Sequence, residues 1–190
     1  MEKLKVTIWT SSHGKGDFRE KIKKVFKNQN FEEPIVKAKG GLWMSFNIAK
    51  AILKKMQQER KPQIHIIILG DNNLRREKCK KEDVMKMFRF FVPRASQIPK
   101  SRVIIASLIP GVEYDEKNNE IFNKFDEDLA KILDKKYEYL NLRKSMRSTK
   151  GQIKEKLFKT DGVNLNKEGN NVLCKQIFEK VDRLPRKFFE

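Results

Sequence analysis

The sequence predicts an α/β protein, a doubly wound three-layer sandwich around a five-stranded parallel sheet. Strand-like and helix-like stretches alternate along all 190 residues, without an internal repeat or a linker rich in Pro, Gly or Ser. The apolar runs 64–69 and 102–109 are dense enough for strands buried on both faces of a parallel sheet. We therefore expect one domain, residues 1–190, with a basic tail from about 182 to 190.

The five strands are predicted from apolar and β-branched runs bounded by turn residues. They cover 4–10, 34–40, 63–69, 102–107 and 137–140.

The helices are predicted from apolar stripes at helical spacing. Asp17 precedes the first stripe and Ser45 the second, as capping residues do. Pro93 is predicted to end the third helix, the fourth begins near Asn118, and the last begins at Lys167. The first four stripes are Phe18, Ile22 and Phe26; Phe46, Ala49, Ile52, Leu53 and Met56; Val84, Met87, Phe88 and Phe91; and Phe122, Phe125, Leu129, Ile132 and Leu133.

The charge is strongly positive, with 43 Lys and Arg against 25 Asp and Glu and a formal net charge of +18. A field of that sign favours polyanions such as nucleic acid or an anionic membrane surface. A lysine-rich solubilising surface is the open alternative. Cys79 and Cys174 have no metal-binding spacing and are expected to be reduced thiols. Without a signal peptide or a membrane-length apolar run, we expect a cytoplasmic protein with no membrane span.

Four short blocks follow predicted strands, where working residues of a parallel sheet are expected. They are TSSHGKG at 10–16, KGGLW at 39–43, GDNN at 70–73 and DGVNLN at 161–166. Each block is a weak signal alone. In this order, they resemble the blocks of the SGNH or GDSL-like hydrolase superfamily, which has flavodoxin-like winding.

That resemblance implies a role for each block. Ser12 stands at the nucleophile position, Gly41 and Asn72 at the oxyanion hole, and Asp161 at the position that orients the base. The base itself would stand at Asn164, where the family has histidine.

The sequence departs from the family at two further places. Thr10 and Ser11 replace the Gly-Asp before the nucleophile, and Asn73 replaces an aspartate.

A serine hydroxyl needs a base to take its proton, and the amide of Asn164 cannot do so. Of the two histidines, His65 is expected to pack in the third strand, and His13 follows Ser12 directly, where nucleophile and base rarely meet. We therefore expect a pseudo-hydrolase, not an enzyme, with these positions vestigial and with no cofactor or metal. The alternative is an active serine esterase or lipase that uses Ser12 with His13 or Asp161 as a non-standard base.

Basic residues near these blocks and in the tail are the candidate RNA-binding residues, because Lys and Arg bind phosphates with release of counterions. Arg143, Lys144 and Arg147 stand out because no acidic residue is near them in sequence. The full candidate set is Arg75, Arg76, Lys78, Arg143, Lys144, Arg147, Lys150, Arg183, Arg186 and Lys187. Each run is also compatible with a solvated helix face.

In size, degenerate blocks and basic character, the chain resembles Oskar-type domains, non-catalytic relatives of the superfamily from the insect germ-plasm organiser. That resemblance implies binding of single-stranded or messenger RNA and protein partners in cytoplasmic germ granules. A third possibility is a module whose former cleft holds a peptide or an anionic lipid head group.

Overall fold

Five parallel strands form one sheet in the order β2-β1-β3-β4-β5, which is the flavodoxin-like order. The structure is a computed structural model that describes residues 3–27, 30–39, 44–75, 80–114, 116–133 and 138–185. The strands are β1 Lys5–Thr10, β2 Ile35–Ala38, β3 Gln63–Ile68, β4 Ser101–Ala106 and β5 Glu138–Leu140. The predicted fold class is confirmed.

Helices cover both faces of the sheet. One apolar cluster joins a face of the sheet to the first and last helices, and a second cluster joins the other face to the intervening long helices. The helices are α1 Asp17–Phe26, α2 Phe46–Gln58, α3 Asp71–Arg75, α4 Lys81–Ser96, α5 Glu116–Ile132, α6 Leu142–Ser145 and α7 Lys167–Asp182.

Capping side chains fix where α2 and α7 begin, whereas the predicted cap of α1 is wrong, because Asp17 is the first residue of that helix and Gly16 is its N-cap. The Ser45 hydroxyl accepts a hydrogen bond from the Ile48 N–H at 3.2 Å, as the sequence predicts for α2. At α7 the Asn166 side chain accepts one from the Gly169 N–H at 3.0 Å. Each cap satisfies a backbone donor that has no partner inside its own helix.

Pro93 does not end its helix, contrary to the prediction, since α4 continues to Ser96. Proline has a helical φ, so its cost is the missing N–H and the crowded preceding turn. The missing N–H removes the helical donor to the Arg89 carbonyl, four residues earlier. Pro93 lies three residues before the end of α4, so this one hydrogen bond is lost near the end of the helix, which continues to Ser96.

His65 is buried in β3, as predicted. Its Nδ1 accepts a hydrogen bond from the Trp9 indole N–H at 3.0 Å, and its Nε2 lies 2.6 Å from Gln63 Oε1. Burial lowers the pKa of His65 to about 4. His65 is therefore a neutral structural histidine.

Cys174 is a free, buried thiol, and Cys79 lies outside the described residues. Among the described helices, none is long and apolar enough to cross a membrane.

Candidate active site

The chain leaves β1 through a tight turn that presents Ser12. Residues Ser12–Gly14 form one turn of 3₁₀ helix, in which Ser12 is half-buried while Ser11 is fully buried. A Cβ atom on Gly14 would lie 2.0 Å from Thr10 Cγ2 and 2.9 Å from Ala38 Cβ. The turn therefore packs against β1 and β2, and Ser12 lies at the carboxyl end of β1.

A buried histidine and carboxylate lie beside this serine. His13 Nε2 is 3.3 Å from Asp71 Oδ2, and the Ser11 hydroxyl donates to the same oxygen at 3.5 Å. His13 and Asp71 are each only 5% exposed. Asp71 meets this turn because β1 and β3 are neighbours, with Thr10 beside Ile68 at their carboxyl ends.

The second ring nitrogen of His13 is left available. His13 Nδ1 is buried and has no hydrogen-bond partner among the described residues. A proton on Nε2, donated to Asp71, leaves the lone pair on Nδ1; this tautomer is inferred from the hydrogen-bond network. In this tautomer Asp71 orients the imidazole of His13, and Nδ1 has no partner among the described residues.

Asn73 links two of the site's blocks. Its Oδ1 accepts from the Met44 N–H at 2.8 Å, and its Nδ2 donates to the Met44 carbonyl at 2.8 Å. An aspartate could accept the first bond but could not donate the second. Asn73 thus fixes the end of the loop that contains Gly41, although Gly41 itself lies outside the described residues. Asn72 is buried next to it.

The last block forms a loop closed by Asp161. Asp161 Oδ1 accepts from the backbone N–H groups of Val163 at 3.0 Å and Asn164 at 2.8 Å, and Oδ2 accepts from Asn164 Nδ2 at 2.7 Å. The Asn164 amide is the main reason why the pKa of Asp161 is below its ordinary value. A carboxylate with a lowered pKa is a weaker base, which argues against Asp161 as the proton acceptor.

Ser12, His13 and Asn164 line one cleft of about 190 Å³. The structure thus brings the first and last blocks together. Three lysines, Lys15, Lys159 and Lys167, also line this cleft, together with one acidic residue, Asp17.

The predicted RNA-binding residues that the structure describes lie on different elements. Lys144 and Lys150 are exposed, whereas Arg183 is exposed beyond the far end of α7, a helix about 24 Å long. Arg76, Lys78, Arg186 and Lys187 lie outside the described residues, and Arg75 is described only as the last residue of α3.

Arg143 is not a free surface cation. It is 6% exposed, and its Nε lies 3.5 Å from Asp126 Oδ2. Arg143 has no acidic residue near it in sequence, but α5 brings Asp126 beside α6. Burial raises the pKa of Asp126 to about 7, against the lowering effect of the Arg143 charge.

Several solved structures similar to this chain are hydrolases. A catalytic mutant of an acetylxylan esterase from Geobacillus stearothermophilus superposes with a TM-score of 0.75 at 12% identity, covering 93% of this chain and 93% of that chain. A carbohydrate esterase family 3 protein from Talaromyces cellulolyticus gives 0.72 at 14% identity, covering 95% and 97%. A GDSL-like lipase from Bacteroides thetaiotaomicron gives 0.62 at 18% identity, covering 93% and 88%.

The fold is that of the SGNH or GDSL-like hydrolases. No protein-family model matches the sequence, and no curated protein matches it either. At such low identities the likeness shows the fold, so the roles of individual SGNH-block residues must be argued from the geometry of this chain.

The prediction that the chain is not an enzyme is contradicted by these neighbours, which are esterases and a lipase and point to an enzyme. That prediction rested on Asn164 and on the missing Gly-Asp before Ser12. It missed Asp71, the partner that orients His13. One signal could have found it, because Asp71 follows the third strand by two residues, and flavodoxin-like winding places the third strand beside the first.

Proposed function

We propose that this protein is an SGNH-fold serine esterase in which Ser12 is the nucleophile and His13, held by Asp71, is the base. The observation that carries the proposal is the buried His13–Asp71 pair, 3.3 Å apart, beside the accessible serine. The pair supplies the base and the orienting carboxylate that the family places in its last block. Here, both would come from the loops after β1 and β3.

The chemistry follows from the two nitrogens of His13. Ser12 Oγ attacks the ester carbonyl while its proton passes to Nδ1, and the Nε2–H donates to Asp71, whose charge stabilises the imidazolium. The alcohol leaves with that proton, and a water molecule then hydrolyses the acyl-enzyme by the same route.

One rearrangement is required. Because Nδ1 has no hydrogen-bond partner among the residues that the structure describes, Ser12 Oγ must approach it on substrate binding, directly or across one water. Asn72 is the expected donor to the oxyanion, since it stands at the family's position after β3.

The cleft restricts the substrate. A volume of about 190 Å³ lies below the usual range for drug-sized ligands, and so favours a short acyl group. The surrounding lysines favour an alcohol part that carries negative charge.

Hydrolysis of a short acyl ester such as p-nitrophenyl acetate tests the proposal, together with labelling by a fluorophosphonate and mass spectrometry of the labelled peptide. We expect Ser12→Ala to abolish labelling and turnover, and His13→Gln to lower kcat/KM by at least about 10²-fold. Ser96→Ala is the matched control, because Ser96 is exposed on α4 away from the cleft. Turnover that survives Ser12→Ala, or labelling at another residue, would refute the assignment.

Asp71→Asn separates orientation from packing. The amide is nearly the same size but can hold His13 in the other tautomer, so activity should fall while the melting temperature changes little. Equal activity in wild type and Asp71→Asn would remove Asp71 from the site.

RNA binding is a second candidate, favoured by the net charge of +18 and by the exposure of Lys144 and Lys150. The logarithm of the binding constant for single-stranded RNA should fall linearly with the logarithm of the salt concentration. The double variant Lys144→Glu, Lys150→Glu should make the slope of that line shallower. Affinity that does not change with salt would contradict it. A place in germ granules is implied only by the resemblance to Oskar-type domains and stays a prediction.

A further inference from the structure

A second polar groove lies at the other end of the sheet, between α5, β5 and α6. It has a volume of about 420 Å³, and Asp126, Tyr139, Arg143, Lys144 and Arg147 are among the residues that line it. Ser12 and His13 do not line it; their cleft adjoins β1, whereas this groove adjoins β5. Three strand spacings separate β1 from β5 in the order β1-β3-β4-β5, or about 14 Å.

The groove contains a buried guanidinium whose outer nitrogens are unused. Arg143 Nη1 and Nη2 are both buried and have no hydrogen-bond partner among the described residues. Arg147 Nε is also buried and has no hydrogen-bond partner among the described residues. Buried charged donors without partners are costly, so such groups are normally satisfied by a ligand or by water.

Asp126 does not satisfy these donors. Its Oδ2 lies 3.5 Å from Arg143 Nε, at the limit of a hydrogen bond, and has no hydrogen-bond partner among the described residues. Its Oδ1 accepts from the Leu108 N–H at 3.1 Å. The carboxyl is therefore held by the backbone and lies near Nε, so Nη1 and Nη2 stay buried without a partner among the described residues.

We propose that this groove is an oxyanion-binding site for a phosphate group, held by Nη1 and Nη2 of Arg143 and by Arg147. The two outer nitrogens of a guanidinium form a planar fork that matches two oxygens of a phosphate. Arg147 and Lys144 supply further positive charge on the same groove, against the carboxyls of Asp126 and Glu127. This inference stands independently of the esterase proposal.

The affinity of this groove for an anion should depend on pH because Asp126 lines it. The charged and titratable groups facing its carboxyl are Arg143, Arg147 and Tyr139. Burial raises the pKa of Asp126 to about 7, so below that pH the group is neutral and its O–H can donate to an anion. Above that pH it is a carboxylate that repels one. Affinity for an anion of fixed charge should therefore fall as pH rises from 6 to 8.

Calorimetric titration in a low-salt buffer with inorganic phosphate, and with sulfate because its charge does not change in this range, tests the proposal. We expect saturable binding to wild type that is at least about tenfold weaker in Arg147→Gln and in Arg143→Lys, which keeps the charge but loses the fork. Arg183→Gln, at the far end of α7, should bind as wild type does. Asp126→Asn should remove the pH dependence of sulfate binding.

The phosphate titration can overturn the proposal, and competition experiments can identify the class of ligand. Absence of saturation by about 10 mM phosphate, or equal binding in wild type, Arg147→Gln and Arg143→Lys, would overturn the proposal. A single-stranded RNA oligonucleotide that competes with phosphate would identify a phosphodiester as the source of the anion. Competition by a phosphomonoester alone would identify a small phosphorylated ligand.

Discussion

Replacing Asp126 with asparagine should change how the stability of this protein depends on pH. Asp126 is buried beside Arg143, and its pKa is raised to about 7 mainly by burial. Its Oδ1 accepts from the Leu108 N–H, a bond that an asparagine oxygen can also accept. Asp126→Asn therefore removes the ionisation while it keeps the shape and the backbone contact.

The direction in which Asp126 changes stability with pH follows from the number of protons bound by the folded and unfolded states. The folded state holds the Asp126 proton up to a pH of about 7, while the unfolded chain loses it near the ordinary value of 3.8. Between these values the folded state binds more protons, so the contribution of Asp126 to stability is fully present below pH 3.8 and is lost as pH rises to about 7. Between pH 5 and about pH 7, the folded state holds one proton more than the unfolded chain. Over these about two pH units, the free energy of unfolding contributed by Asp126 falls by about 3 kcal/mol.

Urea unfolding of both proteins at pH 5 and pH 8 measures this effect. The free energy of unfolding of wild type relative to Asp126→Asn should fall by about 3 kcal/mol between the two pH values. Taking the difference between the proteins cancels the other carboxyls, such as Asp161, whose lowered pKa acts in the opposite direction. A difference that stays constant within about 1 kcal/mol would show that Asp126 is not an uncharged group at pH 5 with a raised pKa.

Three further substitutions test packing, capping and the loop link. Phe88→Ala should cost about 3–5 kcal/mol in urea unfolding, because Phe88 is fully buried, 5.8 Å from the Phe125 ring; Phe46→Ala, at a ring 46% exposed, should cost under about 1 kcal/mol. Asn166→Ala should cost about 2 kcal/mol, since it removes a cap and two bonds to loop carbonyls; exposed Asn171→Ala is its control. Asn73→Asp should lower both stability and ester turnover, because a buried carboxylate cannot donate to the Met44 carbonyl and instead faces that oxygen; unchanged stability and kcat/KM would contradict this.

The strands and helix starts were predictable because their signals are local. Burial on both faces requires continuous apolar runs, and Ser45 caps the stripe that it precedes, whereas the cap of α1 is Gly16 and not the predicted Asp17. The continuation of α4 past Pro93 was not predictable from the apolar stripe, since a proline near a helix end removes only one hydrogen bond.

The candidate site was predictable only as far as its blocks follow the order of the strands. Ser12, Asn72 and Asp161 could be placed because each lies in a block at the carboxyl end of the sheet. The His13–Asp71 pair could not, because its partners are 58 positions apart and meet through the pairing of β1 with β3. The sequence showed a missing histidine at position 164, and the structure shows another one that is already paired with a carboxylate.

The sequence by itself determined the architecture of the protein, because the spacing of apolar residues decides which segments can be strands or helices and in which order. The tertiary structure alone decided which charges meet. Arg143 appears unopposed along the chain, yet the packing of α5 against the sheet brings Asp126 beside it. Electrostatic interaction depends on distance in space and on burial, and neither is written in the local sequence.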